Sequence, residues 1–209
     1  MDSLSQHSLV FTNLYATGNR TVRGLEALTL CIPPTAGESI VKRKDNKNKF
    51  TTGSVFKSKG YNVKYLYGGY SYFDNMKDFF GGNGYKIVDR DNFKPEEIVF
   101  ANIWGVSDED MARKAIETMN EDVKKGKPFF HHWMTVSNHR PFTYPEGRID
   151  IPGTVKSRDG GVKYTDYSIK KFFQMAEKQP WYKNTVFVIV SDHCASSAGK
   201  TELPMDKYR

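Results

Sequence analysis

Thr185-Val186-Phe187-Val188-Ile189-Val190-Ser191-Asp192-His193 is an apolar run that ends in an acid and an imidazole. A run that is apolar on both faces suits a central strand of a parallel sheet covered by helices on both sides. Working outward, Leu9 to Leu14, Val63 to Tyr67 and Phe129 to Val136 read as three more short strands. Between them lie helical patterns. The clearest runs from Ser107 to Lys125, where Ser107 and Asp110 resemble a capping box and Met111, Ala112, Ala115, Ile116, Met119 and Val123 make one apolar stripe. Val22 to Leu30 and Asp166 to Lys178 are two further helices, the latter with Ile169, Phe172, Phe173 and Ala176 inward. Strands alternating with helices predict an α/β domain with a mostly parallel central sheet flanked by helices. Its ligand sites are expected at the carboxyl ends of strands.

The 209 residues include 38% hydrophobic and 14% aromatic side chains, which excludes intrinsic disorder. Neither an internal repeat nor a long linker divides the chain, so residues 1–209 are read as one unit. The net charge of +7, with charged residues at 26%, supports a mild preference for anions and no nucleic-acid-binding tail. Val186 to Val190 falls far short of the roughly 20 apolar residues that a membrane-spanning helix needs. The two cysteines, Cys31 and Cys194, leave open one disulfide or two free thiols.

Asp192 and His193, delivered side by side at a strand end, offer an oxygen and a nitrogen that suit Zn²⁺ or Mn²⁺. The structural alternative is that Asp192 caps a helix and His193 only packs. Upstream, Phe11-Thr12-Asn13-Leu14-Tyr15 leads into a loop containing Gly18, and Thr21 opens the helix that follows. A hydroxyl there lies where unpaired amides and the helix dipole favour an anion such as phosphate. A plain N-cap is the competing explanation for Thr21. A threonine alkoxide forms near neutral pH only when something lowers its pKa, and a metal held by Asp192 and His193 would do so.

These residues form an ordered series: the Phe11 to Tyr15 stretch, the Thr21 loop, Leu66-Tyr67-Gly68-Gly69-Tyr70-Ser71-Tyr72-Phe73-Asp74-Asn75-Met76, Trp104 to Glu109, Ser137-Asn138-His139-Arg140-Pro141-Phe142, and Ser191-Asp192-His193. The series resembles the sulfatase-like catalytic domain of lipoteichoic acid synthases and phosphoglycerol transferases, in the alkaline phosphatase superfamily. The resemblance implies an alkaline phosphatase-type α/β fold and transfer of phosphoglycerol, or a related phospho-alcohol, from an anionic phospholipid headgroup to a glycan or polyol acceptor. It implies that Thr21 is the nucleophile and becomes phosphorylated, that Thr21, Asp192 and His193 hold a divalent metal, and that His139 lies near the substrate phosphate. Mn²⁺ is the first expectation for that metal, with Zn²⁺ and Mg²⁺ as alternatives. A phosphoethanolamine transferase shares the same plan, and a non-catalytic remnant that binds anionic glycans or lipids is the reading from another class.

Gly68 and Gly69 suggest a tight turn after Val63 to Tyr67, and Tyr72, Asp74 and Asn75 are candidates for hydrogen bonds to polyol hydroxyls. Arg23 is a candidate phosphate contact. His131 and His132, neighbours in a strand, should face opposite sides of the sheet and are assigned no role. Cys31-Ile32-Pro33-Pro34-Thr35 resembles the sulfatase Cys-x-Pro-x-Arg signature, but Thr35 replaces the Arg and the cysteine follows the helix instead of preceding it. That argues against sulfate-ester hydrolysis. Family domains begin with an earlier strand that ends in an acidic metal ligand, preceded by membrane-spanning helices, and their sheet continues past the Asp-His strand. The expectation is therefore an incomplete catalytic domain lacking one metal ligand. Its intact form would be membrane-anchored at the extracytoplasmic, periplasmic face of a bacterial inner membrane.

Overall fold

The computed structural model describes residues 1–194. Among these residues six α-helices form: α1 (Asp2–Ser5), α2 (Thr21–Leu30), α3 (Thr52–Ser58), α4 (Met76–Gly82), α5 (Asp108–Lys124) and α6 (Arg158–Ala176). The strands are β1 (Asn62–Tyr67), β2 (Lys86–Val88), β3 (Ala101–Asn102), β4 (Gly105–Val106) and β5 (Phe129–Met134). β1 lies between β2 and β5 and is parallel to both, with Leu66 opposite Val88 on one side and Trp133 on the other. β3 and β4 make a small antiparallel ribbon.

Alternation along β1 builds the two halves of the core. Val63, Tyr65 and Tyr67 face a cluster containing Leu25 of α2, Phe56 of α3 and Met76, Phe79 and Phe80 of α4. Tyr65 stacks on Phe80 with ring centroids 3.7 Å apart. Leu66 faces the other way, into Met111, Ala112, Ala115, Ile116 and Met119 of α5 and Phe172 and Ala176 of α6. The sheet is thus covered on both faces, as a parallel sheet requires. His131 and His132 do face opposite sides: His131 meets Asp122 of α5, and His132 lies edge-on to Tyr65 and Phe80.

The stripe on α5 forms as expected. Its N-cap Ser107 accepts from the Asp110 amide, and Asp108, Glu109 and Asp110 occupy the first turn, where the helix dipole favours negative charge. Only half of the capping box closes, because the Asp110 carboxylate turns to the amides of Val99 and Phe100. Helix α6 begins at Arg158, earlier than the Asp166 expected from its stripe, with Ser157 as N-cap.

Lys64, on the α5 face of β1, is 5% exposed. Its ammonium donates to Asp122 Oδ1 at 2.8 Å, Asn62 donates to the same oxygen at 2.8 Å, and His131 Nε2 lies 2.8 Å from Oδ2. Burial opposes the charge on Asp122, yet the hydrogen bonds from His131, Lys64 and Asn62 outweigh it and hold the carboxyl down at about 2.

Two strand expectations fail. Leu9 to Leu14 is irregular and open to solvent, with Leu9 82% exposed. Thr185 to Ser191 is not a strand either, and Val186 is 89% exposed. An apolar sequence becomes a strand only when a neighbour supplies the hydrogen-bonding ladder. Among the described residues, neither stretch has one, and the contact that forms is a single parallel bridge between Gly18 and His193.

Asp122→Asn should destabilise the chain by about 3–5 kcal/mol, because the Lys64 charge loses its counter-charge inside the core. A urea midpoint shift worth less than about 1 kcal/mol would show that the network does not tie α5 to the sheet. Acid should act through His132, which burial pushes down to about 4. The unfolded imidazole, near 6.5, binds a proton that the folded one refuses, so stability present above pH 6.5 is lost as pH falls toward 4, by about 3 kcal/mol. His132→Phe should flatten that slope in denaturation profiles; an unchanged slope would place the proton uptake elsewhere.

Candidate active site

Helix α2 starts without a side-chain cap. Arg20 is its N-cap residue, in extended conformation, so Thr21 is the first helical residue and the N-cap reading of Thr21 is corrected. The first intrahelical bonds run from the Arg23 and Gly24 amides to the Arg20 carbonyl, which leaves the amides of Thr21 and Val22 without helical partners.

The Asp192-His193 pair lies against this end of α2. Gly18, three residues before Thr21, bridges to His193. A Cβ at Gly24 would lie 2.7 Å from Asp192 Cβ and 2.5 Å from its carbonyl oxygen, so only glycine permits the approach. Glycine in a helix interior costs about 1 kcal/mol relative to alanine, and here the close contact explains its presence. Thr21 lies three residues before Gly24, on the same side of α2, and Gly24 is the residue that meets Asp192.

His193 Nδ1 lies 2.9 Å from the Cys194 carbonyl oxygen, which can only accept, so Nδ1 carries a proton. Nε2 lies 3.7 Å from Asp192 Oδ2. The oxygen and nitrogen donors of Asp192 and His193, near the end of α2 that Thr21 opens, fit a divalent cation by type. Among the described residues, no three His, Cys, Asp or Glu side chains gather into a complete ligand cluster.

His139 follows β5 in a turn that α5 holds in place. The buried Asp108 carboxylate accepts from the Val136 amide at 2.8 Å and the Ser137 amide at 3.0 Å, while the Ser137 hydroxyl is 3.1 Å from the Asp108 amide. Burial raises the Asp108 pKa, and the amide and hydroxyl hydrogen bonds counteract it. The Trp104 ring lies 4.5 Å from the His139 ring, with Phe73 edge-on to the other part of the indole. Burial lowers the His139 pKa; the Asp192 charge opposes this, and His193 and Arg158 reinforce it. His139 is thus neutral at pH 7 and within electrostatic reach of the pair at the end of α2.

The remaining candidates are partly engaged elsewhere. The Arg23 guanidinium donates to Glu26 Oε2 at 3.1 Å, to the Thr35 carbonyl at 2.9 Å and to the Gly37 carbonyl. It clamps the loop after α2. Asp74 and Asn75 have left-handed backbones; Asp74 accepts from Lys42 at 3.0 Å and Asn75 donates to the Val41 carbonyl. Tyr72 is exposed and stacks on Tyr70, 5.8 Å between centroids. Gly68 and Gly69 serve the close passage of the 104–106 segment more than a turn, since added Cβ atoms would lie 2.8 Å from the Val106 carbonyl oxygen and 2.4 Å from that of Trp104. Cys31, exposed and left-handed at the end of α2, is a free thiol.

Sequence reasoning did not single out Asp108 or Gly24. Asp108 carries no signal beyond an acid in the first turn of a helix. Gly24 does carry one, a glycine inside an otherwise regular helical pattern, which points to close packing.

Comparison with known proteins places the chain in a family. Aligned over 164 residues, the chain is 26% identical to a lipoteichoic acid synthase of Staphylococcus saprophyticus, covering 75% of the chain and 25% of that protein. It is 26% identical over 155 residues to phosphoglycerol transferase I of Citrobacter koseri, covering 68% of the chain and 20% of the relative. The chain thus spans about a quarter or less of these curated relatives. A crystal structure of an alkaline phosphatase superfamily protein from Vibrio parahaemolyticus superposes with a TM-score of 0.87 at 41% identity, over 95% of the chain and 49% of its own length. The lipoteichoic acid synthase of Listeria monocytogenes superposes with a TM-score of 0.73 at 20% identity, over 84% of the chain and 45% of its own length, which shows the shared fold. The profile of the family described as Sulfatase matches residues 1–209, and the chain belongs to that family.

Proposed function

We propose that this chain carries part of the active site of a phosphoglycerol transferase that works on anionic phospholipid headgroups at the outer face of a bacterial membrane. The observation that carries the reading is the meeting of the uncapped Thr21 end of α2 with Asp192 and His193. The names of the relatives support the same chemistry. The position of Cys31, past the end of α2, supports phosphoryl over sulfuryl chemistry.

In this reading, Thr21 Oγ1 attacks phosphorus of the headgroup phosphodiester. The new bond joins Thr21 to phosphorus, the bond to the lipid oxygen breaks, and that oxygen leaves with a proton as the lipid alcohol. A hydroxyl of a glycan or polyol acceptor then attacks the same phosphorus, and Thr21 recovers its hydroxyl. The free amides at the start of α2 receive the negative oxygens of the transferring group. His139, neutral and half-buried against Trp104, donates an N–H hydrogen bond to a phosphate oxygen. Asp108 is a positioning residue that fixes the turn carrying His139. A divalent cation held by Thr21, Asp192 and His193, with Mn²⁺ the first expectation, would lower the hydroxyl pKa and neutralise charge on phosphate. Tyr72, Asp74 and Asn75, reached through Phe73 beside Trp104, are the residues proposed to meet the glycerol hydroxyls. Among the described residues, no helix is long and apolar enough to cross a membrane, so the proposed anchor lies outside them.

Thr21→Ala in a version extended to the length of its relatives should abolish turnover, and no phosphorylated tryptic peptide containing residue 21 should appear in the mass spectrum. A phosphorylated peptide elsewhere would remove Thr21 from the role. His139→Ala should lower kcat at least tenfold and leave bound metal unchanged; loss of metal would make His139 a ligand. Gly24→Ala should weaken Mn²⁺ binding, measured by titration, because the added methyl displaces Asp192. Unchanged affinity would separate Asp192 from the metal.

A further inference from the structure

The turn after β1, Ser71 to Asn75, carries the residues proposed to meet the glycerol hydroxyls, and Asp74 is the only carboxylate between Gly68 and Lys77. Its Oδ1 accepts from the ammonium of Lys42, at the end of the short 3₁₀ turn Ile40–Lys42, at 3.0 Å. We infer that Lys42 is a specificity-determining residue: by cancelling the Asp74 charge it makes this turn accept an uncharged polyol headgroup and refuse one that ends in an ammonium, such as ethanolamine. The inference rests on the function proposed above and adds to it the residue that chooses the headgroup.

Charge is the first ground. The carboxylates on and beside the turn are answered: Asp74 by Lys42, Asp78 by Lys47 at 2.7 Å, and Asp89 by the Ser71 amide at 3.1 Å, the Ser71 hydroxyl and the Asp91 amide at 3.1 Å. The Asp74 side chain is 23% exposed, so an unpaired carboxylate there would be little screened by water and would draw an ammonium to it. With Lys42 on one oxygen the pair has no net charge, and the lysine itself repels a second cation, which is how a site rejects a wrong partner. The other Asp74 oxygen still accepts, and so does the side-chain oxygen of Asn75, whose Nδ2 is spent on the Val41 carbonyl at 3.3 Å. Acceptors without net charge suit hydroxyls.

The turn is also held so that Asp74 keeps facing Lys42. Asp89 and Ser71 are buried, the Lys77 amide donates to the Ser71 carbonyl at 2.6 Å, and the Arg90 amide donates to the Gly69 carbonyl at 3.0 Å. Asp74 and Asn75 both have left-handed backbones, at φ 51° and 60°, a conformation that costs energy in a residue other than glycine and that persists at functional sites where the surroundings impose it. A partly exposed ion pair adds little to stability, so folding alone does not account for Lys42. Position ties the turn to the candidate site on two sides. Phe73 meets Trp104, which meets His139. Burial raises the Tyr65 pKa, and the charges of Tyr67, Asp192 and Asp74 add to the rise, so Asp74 and Asp192 lie within electrostatic reach of one hydroxyl.

The test compares phosphatidylglycerol with phosphatidylethanolamine as donors, each in micelles of a neutral detergent with Mn²⁺ present, in a version extended to the length of its relatives. Each rate is divided by hydrolysis of bis(4-nitrophenyl) phosphate by the same variant, since that ester has neither headgroup. Without substitution, phosphatidylglycerol should be favoured at least tenfold in kcat/KM. Lys42→Met should lower that preference at least tenfold, mainly through a smaller KM for phosphatidylethanolamine, and Lys42→Arg should keep it. The double variant Lys42→Met, Asp74→Asn should restore it, because the attracting charge is gone and asparagine tolerates the left-handed backbone. An unaltered preference in Lys42→Met, or no restoration in the double variant, would overturn the inference and leave the proposed function standing. Preference for phosphatidylethanolamine without any substitution, or hydrolysis of the nitrophenyl ester with neither lipid consumed, would overturn both.

Discussion

Asp122 holds one helix to two strands at once. Its oxygens take hydrogen bonds from Asn62 and Lys64 of β1 and meet His131 of β5, so the pitch of α5 is fixed relative to both strands from one point. Everything above α5 inherits that fix. The N-terminus of the same helix carries Asp108, which grips the turn after β5 and so places His139. A charge network near one end of a 17-residue helix thereby sets the position of an imidazole near the other end. The arrangement is stiff because the core between them is packed on both sides of the sheet.

The parallel sheet explains why distant stretches of sequence converge. β1, β2 and β5 all run the same way, so the segments leaving their carboxyl ends, Gly68 to Asn75 after β1 and Val136 to Phe142 after β5, emerge on one rim. The antiparallel ribbon of β3 and β4 folds over that rim, with Val106 donating from its amide to the Gly68 carbonyl at 2.9 Å. Trp104, at the tip of the ribbon, brings Phe73 and His139 together. The candidate residues after β1 and β5 thus lie beyond the carboxyl ends of parallel strands, where ligands bind in such sheets.

The helices and the inner strands were legible because their signals are local. The α5 stripe, its Ser107 cap and the alternation in β1 depend on residues a few positions apart. The failures, Leu9 to Leu14 and Thr185 to Ser191, share the opposite property. Their apolar character is real, but strand formation depends on a partner elsewhere, which periodicity does not report. The candidate site was proposed from residue types, and the structure brings the Thr21 loop, through Gly18, to His193, and α2, through Gly24, to Asp192. Arg23 shows the limit: a guanidinium two residues from Thr21 suits phosphate by composition, yet the Glu26 carboxylate on its own helix and two carbonyls of the loop after it claim it. Sequence proximity does not rank competing acceptors; geometry does.

The indole of Trp104 has an optical consequence. The chain has three tryptophans, and the other two sit in core surroundings: Trp133 against Phe172, and Trp181 against Phe129 with its Nε1 donating to Asn120. Trp104 alone lies against an imidazole at the candidate site, 4.5 Å from ring to ring. A protonated imidazole quenches indole emission by accepting an electron from the excited ring, and a neutral one does so far less. The protein therefore carries a built-in lamp whose brightness follows the charge on His139, readable without a label while anions, metals or acid are added.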